Sequence, residues 1–428
     1  MTVASAESTA PIRVLYVTHI GAPTGNASSL RLLIAGFPTG AVEAHLLTPP
    51  GGAIPDFERL GVSIWSIPGI AMVYSTVGIP LRGRRLLVLL RTIWHMRKGS
   101  RVREVIRAVR PDVVHMNDIG MFQVARIARQ AGVPTVMHVR GVLDQDSRWV
   151  LRLLRGMVRK WVMQTVAIDE SVGRGLRQVA ESVVVYNPLP RDLLDAPTAA
   201  GAARSGPVRV TFLNTLIGYK GVYDLLESAR LLRDRSDILF QIAGTNSRPM
   251  EFYASLIGRI SRLLGLTRNV EAEARDFVAR QGLQDQVRLL GRVDPGAILR
   301  ETDVLVFPSH LNGAGRSVFE AGVLGIPAIL TLRDRVEDIV QDGVTGLIVP
   351  ERDPQGLAAA IARLADDPEL RCRLGAQARR RYRLQFDGES ISREIITLYR
   401  SILSDPDAGV SRRDSFESEV GAGSQGGS

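Results

Sequence analysis

The sequence predicts an α/β fold built from two doubly wound, Rossmann-like domains. Three observations predict it. Short β-branched apolar runs alternate with helix-period segments from Ile12 onward. A small-residue stretch at 191–207 (RDLLDAPTAAGAARSGP) interrupts the alternation. The alternation then restarts at Val208. A single barrel would show neither the interruption nor the restart.

The first domain is read over 12–190, after a non-periodic stretch at 1–11 that is expected to be disordered. Its opening unit is a strand Ile12–Val17, a Gly/Pro loop from Thr18 to Gly25, and a helix over Ala27–Ile34. Strands are then predicted at Val42–Thr48, Pro111–His115, Pro134–His138, Thr165–Ile168 and Val183–Tyr186, with a helix over Met121–Gln130. After the linker at 191–207, the second domain is read over 208–386. Its strands are Val208–Leu213, Ile238–Ala243, Val287–Leu290, Val304–Pro308, Ala328–Leu332 and Gly346–Val349. Helices are predicted over Tyr223–Arg233, Val318–Leu324, Pro354–Ala365 and Pro368–Phe386. A last helix within 387–404 precedes an Asp/Ser/Gly-rich tail at 405–428, which is expected to be disordered.

Composition excludes several classes. The 428 residues are 45% hydrophobic and 23% charged, which is the balance of a soluble globular protein. The single cysteine, Cys372, rules out a disulfide within the chain and any cysteine metal cage, and fits a cytoplasmic, reducing compartment. Residues 1–11 lack the basic start and apolar block of a secretory signal. No apolar run approaches the roughly 20 residues of a membrane helix.

Charge is unevenly spread. Residues 1–190 carry 23 Lys+Arg against 12 Asp+Glu, whereas 191–428 carry 31 against 32. The whole positive excess lies in the first half, which predicts an anionic partner there: membrane headgroups, an anionic lipid substrate or nucleic acid. Leu81–Arg110 concentrates it, with ten basic residues, one acid (Glu104) and interleaved Leu, Ile and Trp. That pattern is either a membrane-surface helix or a solvated helix with one face in the core.

Two stretches can carry chemistry. In Phe307-Pro-Ser-His-Leu-Asn-Gly-Ala-Gly-Arg-Ser-Val-Phe-Glu320, a strand ends, a Gly-rich loop follows and a helix starts near Arg316. Free N–H groups at such a helix start make an anion site, and Gly313 and Gly315 allow close backbone approach. Glu320 is positioned either to meet a sugar hydroxyl or, with Ser317, to close a capping box. In Phe212-Leu-Asn-Thr-Leu-Ile-Gly-Tyr-Lys-Gly-Val222, Lys220 stands at the carboxyl edge of the second domain's first strand, where ligands bind in open α/β sheets. It is either a diphosphate counter-charge or a solvated surface lysine. Only three lysines occur, Lys98, Lys160 and Lys220, so the position is not one of many.

This succession resembles the retaining glycosyltransferases of family 4, over residues 12 to about 403. It runs from Lys220-Gly221 before a helix, through the Pro308-to-Pro327 run, to Glu337-Asp-Ile-Val-Gln-Asp-Gly-Val-Thr-Gly-Leu-Ile-Val349. The resemblance implies a GT-B fold, two Rossmann-like domains facing a cleft, with the C-terminal helix crossing back to the first. It implies that a nucleotide-diphosphate sugar is held mainly by the second domain. Lys220 matches the diphosphate lysine, and Gly315, Arg316 and Ser317 match the turn whose N–H groups meet the donor. Glu320 matches the ribose-binding glutamate, Gly25 the first-domain glycine loop, and Gly244 and Thr215 fall at further donor-contact positions. His115, Asn117, Asn312 and Lys220 are the implied catalytic set, with His138 and Arg140 on the acceptor side. The acceptor is expected to be a lipid-linked or cell-envelope glycan at the cytoplasmic membrane face, with Leu81–Arg110 touching anionic lipid. No metal, no other cofactor and no nucleic acid are expected; of the D-x-D spacings, Asp144-Gln-Asp146 follows a strand and Asp405-Pro-Asp407 lies in the tail.

Three positions depart from the family pattern. Asn312 stands where the family usually has glutamate, Thr215 where it has arginine, and Asn117 where it often has histidine. Arg316 or Arg248 is a candidate replacement for the missing cation. These departures keep two other readings open: a non-catalytic sugar-nucleotide binder, and a GT-B epimerase or phosphorylase. A Rossmann dehydrogenase is disfavoured because Gly21-Ala-Pro-Thr-Gly25 is not G-x-G-x-x-G. A nucleic-acid binder lacks any helix-turn-helix, zinc or RNA-recognition signature.

Overall fold

Two all-parallel sheets form where the sequence places its two alternating series. A computed structural model describes residues 10–70, 72, 99–143, 148–198, 206–265, 267–311, 313–332 and 338–404. The chain divides into two units, 1–188 with 387–428, and 189–386.

The first unit's strands are β1 (Ile12–Val17), β2 (Val42–Thr48), β3 (Ser63–Ser66), β4 (Val113–Met116), β5 (Thr135–Val139), β6 (Gln164–Ala167) and β7 (Ser182–Val184). Their order across the sheet is 3-2-1-4-5-6-7, reversing direction between β1 and β4. Strand alternation sorts side chains onto two faces. Leu15 and Val17 of β1 join Val114 and Met116 of β4 in one core; Val14 and Tyr16 join Val113 in another.

The second core is closed by the helix Gly388–Ser404, which contributes Ile391, Ile395, Ile396, Tyr399 and Ile402. Ser392 Oγ also donates to the Leu33 carbonyl at 3.0 Å. The last helix is therefore part of the first unit's core, as its apolar period requires.

In the second unit, β8 (Val208–Leu213), β9 (Ile238–Ala243), β10 (Val287–Gly291), β11 (Val304–Phe307), β12 (Ala328–Thr331) and β13 (Gly346–Val349) lie in the order 10-9-8-11-12-13. Direction reverses between β8 and β11. Val210, Phe212, Phe240, Ile242, Val304 and Val306 pack against helices Val222–Leu231, Val270–Gln281 and Pro354–Asp366. Aspartate caps (Asp294, Asp353 and Asp367) start three helices by accepting a backbone N–H.

The stretch 191–207 is not all linker. Arg191–Leu194 forms a short helix of the second unit, with Leu193 and Leu194 buried. Further elements beyond the predicted ones are β3 and the helices Ile54–Glu58, Arg148–Trp161, Glu170–Leu176, Met250–Ala254, Leu256–Leu263, Val270–Gln281 and Pro295–Arg300. Among the described residues, no helix is long and apolar enough to cross a membrane.

If the last helix is core, Ile395→Ala should cost about 2–5 kcal/mol, since Ile395 is fully buried. All four tryptophans (Trp65, Trp94, Trp149 and Trp161) belong to the first unit, so its unfolding is readable by their fluorescence in urea. A midpoint equal to the parent's would show that this helix adds nothing to that unit.

Candidate active site

Where strand order reverses, the loops leaving neighbouring strands diverge and open a crevice at their carboxyl ends. In the second unit a cavity of about 340 Å³ occupies that position. The β8 loop lines it with Asn214, Thr215 and Lys220, and the β11 loop with Gly315, Arg316 and Ser317. Gly244 and Thr245 after β9, and Arg292 and Val293 after β10, complete it.

The lysine is placed by backbone geometry. Leu216 N–H donates to the Thr245 carbonyl at 2.9 Å, and a 3₁₀ turn over Gly218–Lys220 follows. The turn ends on Gly221 at φ +81°, where an added Cβ would lie 1.7 Å from the Pro308 carbonyl oxygen. Only glycine satisfies both conditions. His310 then ties the two loops together. Its N–H donates to the Tyr219 carbonyl at 2.8 Å, and its Nε2 lies 2.7 Å from Asp224 Oδ2. The Lys220 ammonium sits 5.6 Å from the centroid of the Phe307 ring and 5.7 Å from that of Tyr219. Burial pushes its pKa below the ordinary lysine value, and the described residues supply no carboxylate to offset it. Lys220 is thus a cation held ready for an anion.

Opposite stands the helix Arg316–Val323, whose N-cap Gly315 offers no side chain to its free N–H groups. A Cβ on Gly315 would lie 2.4 Å from the Phe307 ring, so the glycine also protects the platform beneath Lys220. The capping-box alternative for Glu320 does not hold. Ser317 lies inside the helix rather than at its cap, and the Glu320 carboxylate accepts from Arg316 Nε at 2.6 Å. That bond fixes the guanidinium at the cavity wall, where Arg316 Nη1 is buried without a hydrogen-bond partner among the described residues.

Thr215 is exposed and lines the cavity, so no charge stands at that position. Asn312 lies outside the described residues. Of the two candidate replacement cations, Arg316 lines the cavity, whereas Arg248 stacks 4.4 Å from the Phe252 ring and does not. Arg292 does, exposed and one residue past β10. The sequence does not single it out, because its place at the cavity follows from β10 lying beside β9. No three His, Cys, Asp or Glu side chains come together as a metal group among the described residues. Asp144-Gln-Asp146 and Asp405-Pro-Asp407 lie outside them.

The first unit holds a second polar constellation, at the reversal between β1 and β4. Asn117 Nδ2 donates to the Asn26 carbonyl at 3.1 Å, and Asn26 Nδ2 to Asp118 Oδ2 at 3.1 Å. Arg140, one residue past β5, donates from Nε to Asn117 Oδ1 at 2.9 Å and from Nη1 to Asn187. Gly25 opens the first helix beside them, exposed, with open space where a side chain would be.

His115 and His138 are not at this edge. Alternation along β4 and β5 turns both onto the face covered by the C-terminal helix. Both are buried, and His115 Nδ1 lies 2.7 Å from the Tyr399 hydroxyl. Both belong to the core of the first unit rather than to its carboxyl edge. Burial, then the nearby Arg140 charge, drives the pKa of His115 down to about 3 and that of His138 well below the usual range.

Comparison with known proteins bears on both units. The model for glycosyl transferases group 1 matches residues 199–381, and that for a glycosyl transferase 4-like domain matches 24–185. Glycogen synthase of Mycobacterium tuberculosis is 28% identical over 324 residues, covering 71% of this chain and 72% of that protein. A capsular polysaccharide biosynthesis glycosyltransferase, CapM of Staphylococcus aureus, is 33% identical over 112 residues, 26% of this chain and 30% of the relative. HepE of Anabaena, solved with UDP and glucose, superposes with a TM-score of 0.71 at 17% identity, over 91% of this chain and all of that one. At that identity the likeness speaks for the fold, GT-B.

The buried histidines make the first unit acid-labile. Their folded pKa lies below the ordinary 6.5, so the unfolded chain takes up protons first. Their contribution to stability is complete above about pH 6.5 and falls as pH drops below it, for His115 down to about 3, by up to about 1.4 kcal/mol per pH unit for each histidine. His115→Asn, which keeps a polar atom near Nδ1, should flatten the fall in urea midpoint between pH 7 and 4.5. Parallel profiles for parent and variant would remove His115 as a cause.

Proposed function

The chain belongs to the family 4, or group 1, glycosyltransferases, and from that premise we propose a retaining, metal-independent transfer of a sugar from a nucleotide-diphosphate sugar to an acceptor hydroxyl. The observation that carries the reading is Lys220: a partly buried ammonium without a carboxylate among the described residues, set across a strand-order reversal from an uncapped helix start.

In the transfer, the bond between the anomeric carbon and the diphosphate oxygen breaks, one to the acceptor oxygen forms, and the acceptor's proton passes to the departing diphosphate. Negative charge grows on the departing diphosphate. Donors already aimed at that charge lower the barrier without reorganising. That part is assigned to Lys220, the Arg316 and Ser317 N–H groups and Arg292, whose residues line the cavity. Two protein cations, Lys220 and Arg292, fit the role a divalent ion would otherwise have, with Arg292 standing in for the charge absent at Thr215. Arg316 is held by Glu320, whose carboxylate is assigned to a ribose hydroxyl of the donor on the family resemblance. Gly244 lets backbone approach the donor, and Asn312, uncharged, is assigned to donor hydroxyls.

The acceptor belongs to the first unit, and an anionic, lipid-linked or envelope glycan suits it. Supporting this, the helix Arg148–Trp161 carries Arg148, Arg152, Arg155, Arg159 and Lys160 with no acid, and Trp149 is 56% exposed on it. Arg101, Arg103, Arg107 and Arg110 are exposed too, whereas the preceding part of Leu81–Arg110, 81–98, lies outside the described residues. Asn117 and Arg140 are the polar groups at the carboxyl edge that would orient such an acceptor. A peripheral position at the inner membrane face follows from this reading.

A thermal-shift panel of UDP, GDP, ADP, CDP and dTDP, with and without EDTA, tests the donor site. A nucleotide at about 100 times its Kd should stabilise by roughly 2.7 kcal/mol, insensitively to EDTA. No shift with any nucleotide would favour a degenerate member that has lost donor binding. Lys220→Ala should lower turnover by about 100–1000-fold; unchanged turnover would take Lys220 out of the mechanism. Arg292→Ala should raise the donor KM by about tenfold, the loss of one charge-assisted bond, and Arg292→Lys should recover most of it. An unchanged KM in the alanine variant would leave the charge at Thr215 unreplaced.

A further inference from the structure

The segment between β9 and the helix Val270–Gln281 folds as a helical hairpin, Met250–Ala254 and Leu256–Leu263. Its base is clamped by Asn246 Nδ2 donating to Asn269 Oδ1 at 2.8 Å. The second helix is inside out. Its buried residues are the small Gly258 and Ser261. Leu256, Ile257, Ile260, Leu263 and Leu264 face solvent, from 47% to 86% exposed. At about 100° per residue, those five side chains cover an arc of roughly 120°. Isolated exposed leucines are ordinary, but a contiguous stripe of five is an interaction surface.

The orientation is locked. A Cβ on Gly258 would lie 1.8 Å from the Phe252 carbonyl oxygen, and Ser255 caps the helix by accepting from Gly258 N–H at 3.1 Å. A larger residue cannot rotate into that contact, so the apolar stripe cannot turn inward. Arg259 and Arg262 flank the stripe on one side, both exposed, and the Arg262 charge also acts on the Glu273 carboxylate. Arg248 is exposed at the foot of the hairpin, and the only acid from 247 to 268 is Glu251.

We infer that this hairpin is a docking element for an anionic lipid surface, inserting Leu256, Ile257, Ile260, Leu263 and Leu264 while Arg248, Arg259 and Arg262 meet headgroups. An exposed apolar stripe edged with arginine is the arrangement that lies in a membrane interface, where apolar burial and attraction to anionic lipid add. A protein partner for such a stripe would call for flanking hydrogen-bonding groups of both signs, and the hairpin offers nearly one sign only. The surface is separate from the first-unit charge invoked for the acceptor. It begins after Thr245, which lines the donor cavity, so docking would hold that cavity's edge close to the bilayer.

Leu263→Cys, in a Cys372→Ser background, takes an environment-sensitive dye at one position, because the chain has no other cysteine. With vesicles of phosphatidylcholine and phosphatidylglycerol, whose anionic headgroups attract basic segments, the dye should shift to the blue. With pure phosphatidylcholine the shift should be much smaller. Ile257→Ser/Ile260→Ser/Leu263→Ser should float with anionic vesicles at least tenfold less than the parent and melt at the parent's temperature, since those side chains are already in water. A parent that does not float at low salt overturns the proposal. So does a parent and triple variant that float equally with a silent dye, which would place docking elsewhere. A concentration-dependent dimer in sedimentation velocity, abolished by the triple variant without lipid, would assign the stripe to a second copy instead. The nucleotide thermal shift, read on the same variants, reports separately on the donor site.

Discussion

The second unit turns on one backbone contact, Gly221 against the Pro308 carbonyl. The α-carbon approaches so closely that a methyl group would overlap the oxygen by well over an ångström of normal contact distance. That approach seats the lysine turn over the end of β11, where the strand-order reversal has already opened a crevice. The neighbouring features depend on it. Lys220 reaches the Phe307 face, His310 bridges the turn to Asp224, and Gly315 keeps the other side of the ring clear. Remove the contact and the cation and the uncapped helix start no longer face one cavity.

Buried polar groups cost free energy unless paired, so where a fold keeps them is informative. The two units keep them differently. In the first, His115, Tyr399 and Tyr16 form a chain inside the core, and Asn117, Arg140 and Asn187 form another at its edge. The inner chain joins β1 and β4 to the last helix, so it specifies how a segment far along the sequence returns to the first sheet. In the second unit two cations that line the cavity are incompletely paired: Lys220 without a carboxylate among the described residues, and Arg316 with one buried nitrogen unbonded. The inner chain holds architecture although His115 Nε2 within it has no partner among the described residues, whereas the open cations of the second unit stand at a crevice, where a ligand can reach them.

Much of this was legible in the sequence, and the limits have physical causes. Period-2 and 3.6-residue patterns place the central strands closely, because a strand buried on both faces must be apolar throughout. Edge strand β3 was not legible, since its half-exposed Ser63–Ser66 carries no such run. The anion site could be read because glycines and a lone lysine sit at strand ends, positions that topology alone makes functional. Arg292 could not be singled out among fifty-one arginines without knowing that β10 lies beside β9. The place of His115 was not legible for the converse reason: the motif fixes the residue, but strand parity fixes its face, and parity turns it to the core.

Glu320 shows how spacing can support two chemistries and geometry choose between them. A serine three residues before a glutamate satisfies the capping-box pattern whether or not the serine is the cap. Here the cap falls two residues earlier, on a glycine. The helix therefore starts bare, and its N–H groups stay available to an anion. The same displacement frees Glu320 from its own helix start and gives it to Arg316. One change of register thus converts a self-satisfied helix end into a charged wall with an open positive end. A chain that has neutral residues at Thr215 and Asn312 has most need of such a wall, because the electrostatic work at the diphosphate must then come from backbone, Lys220 and the arginines.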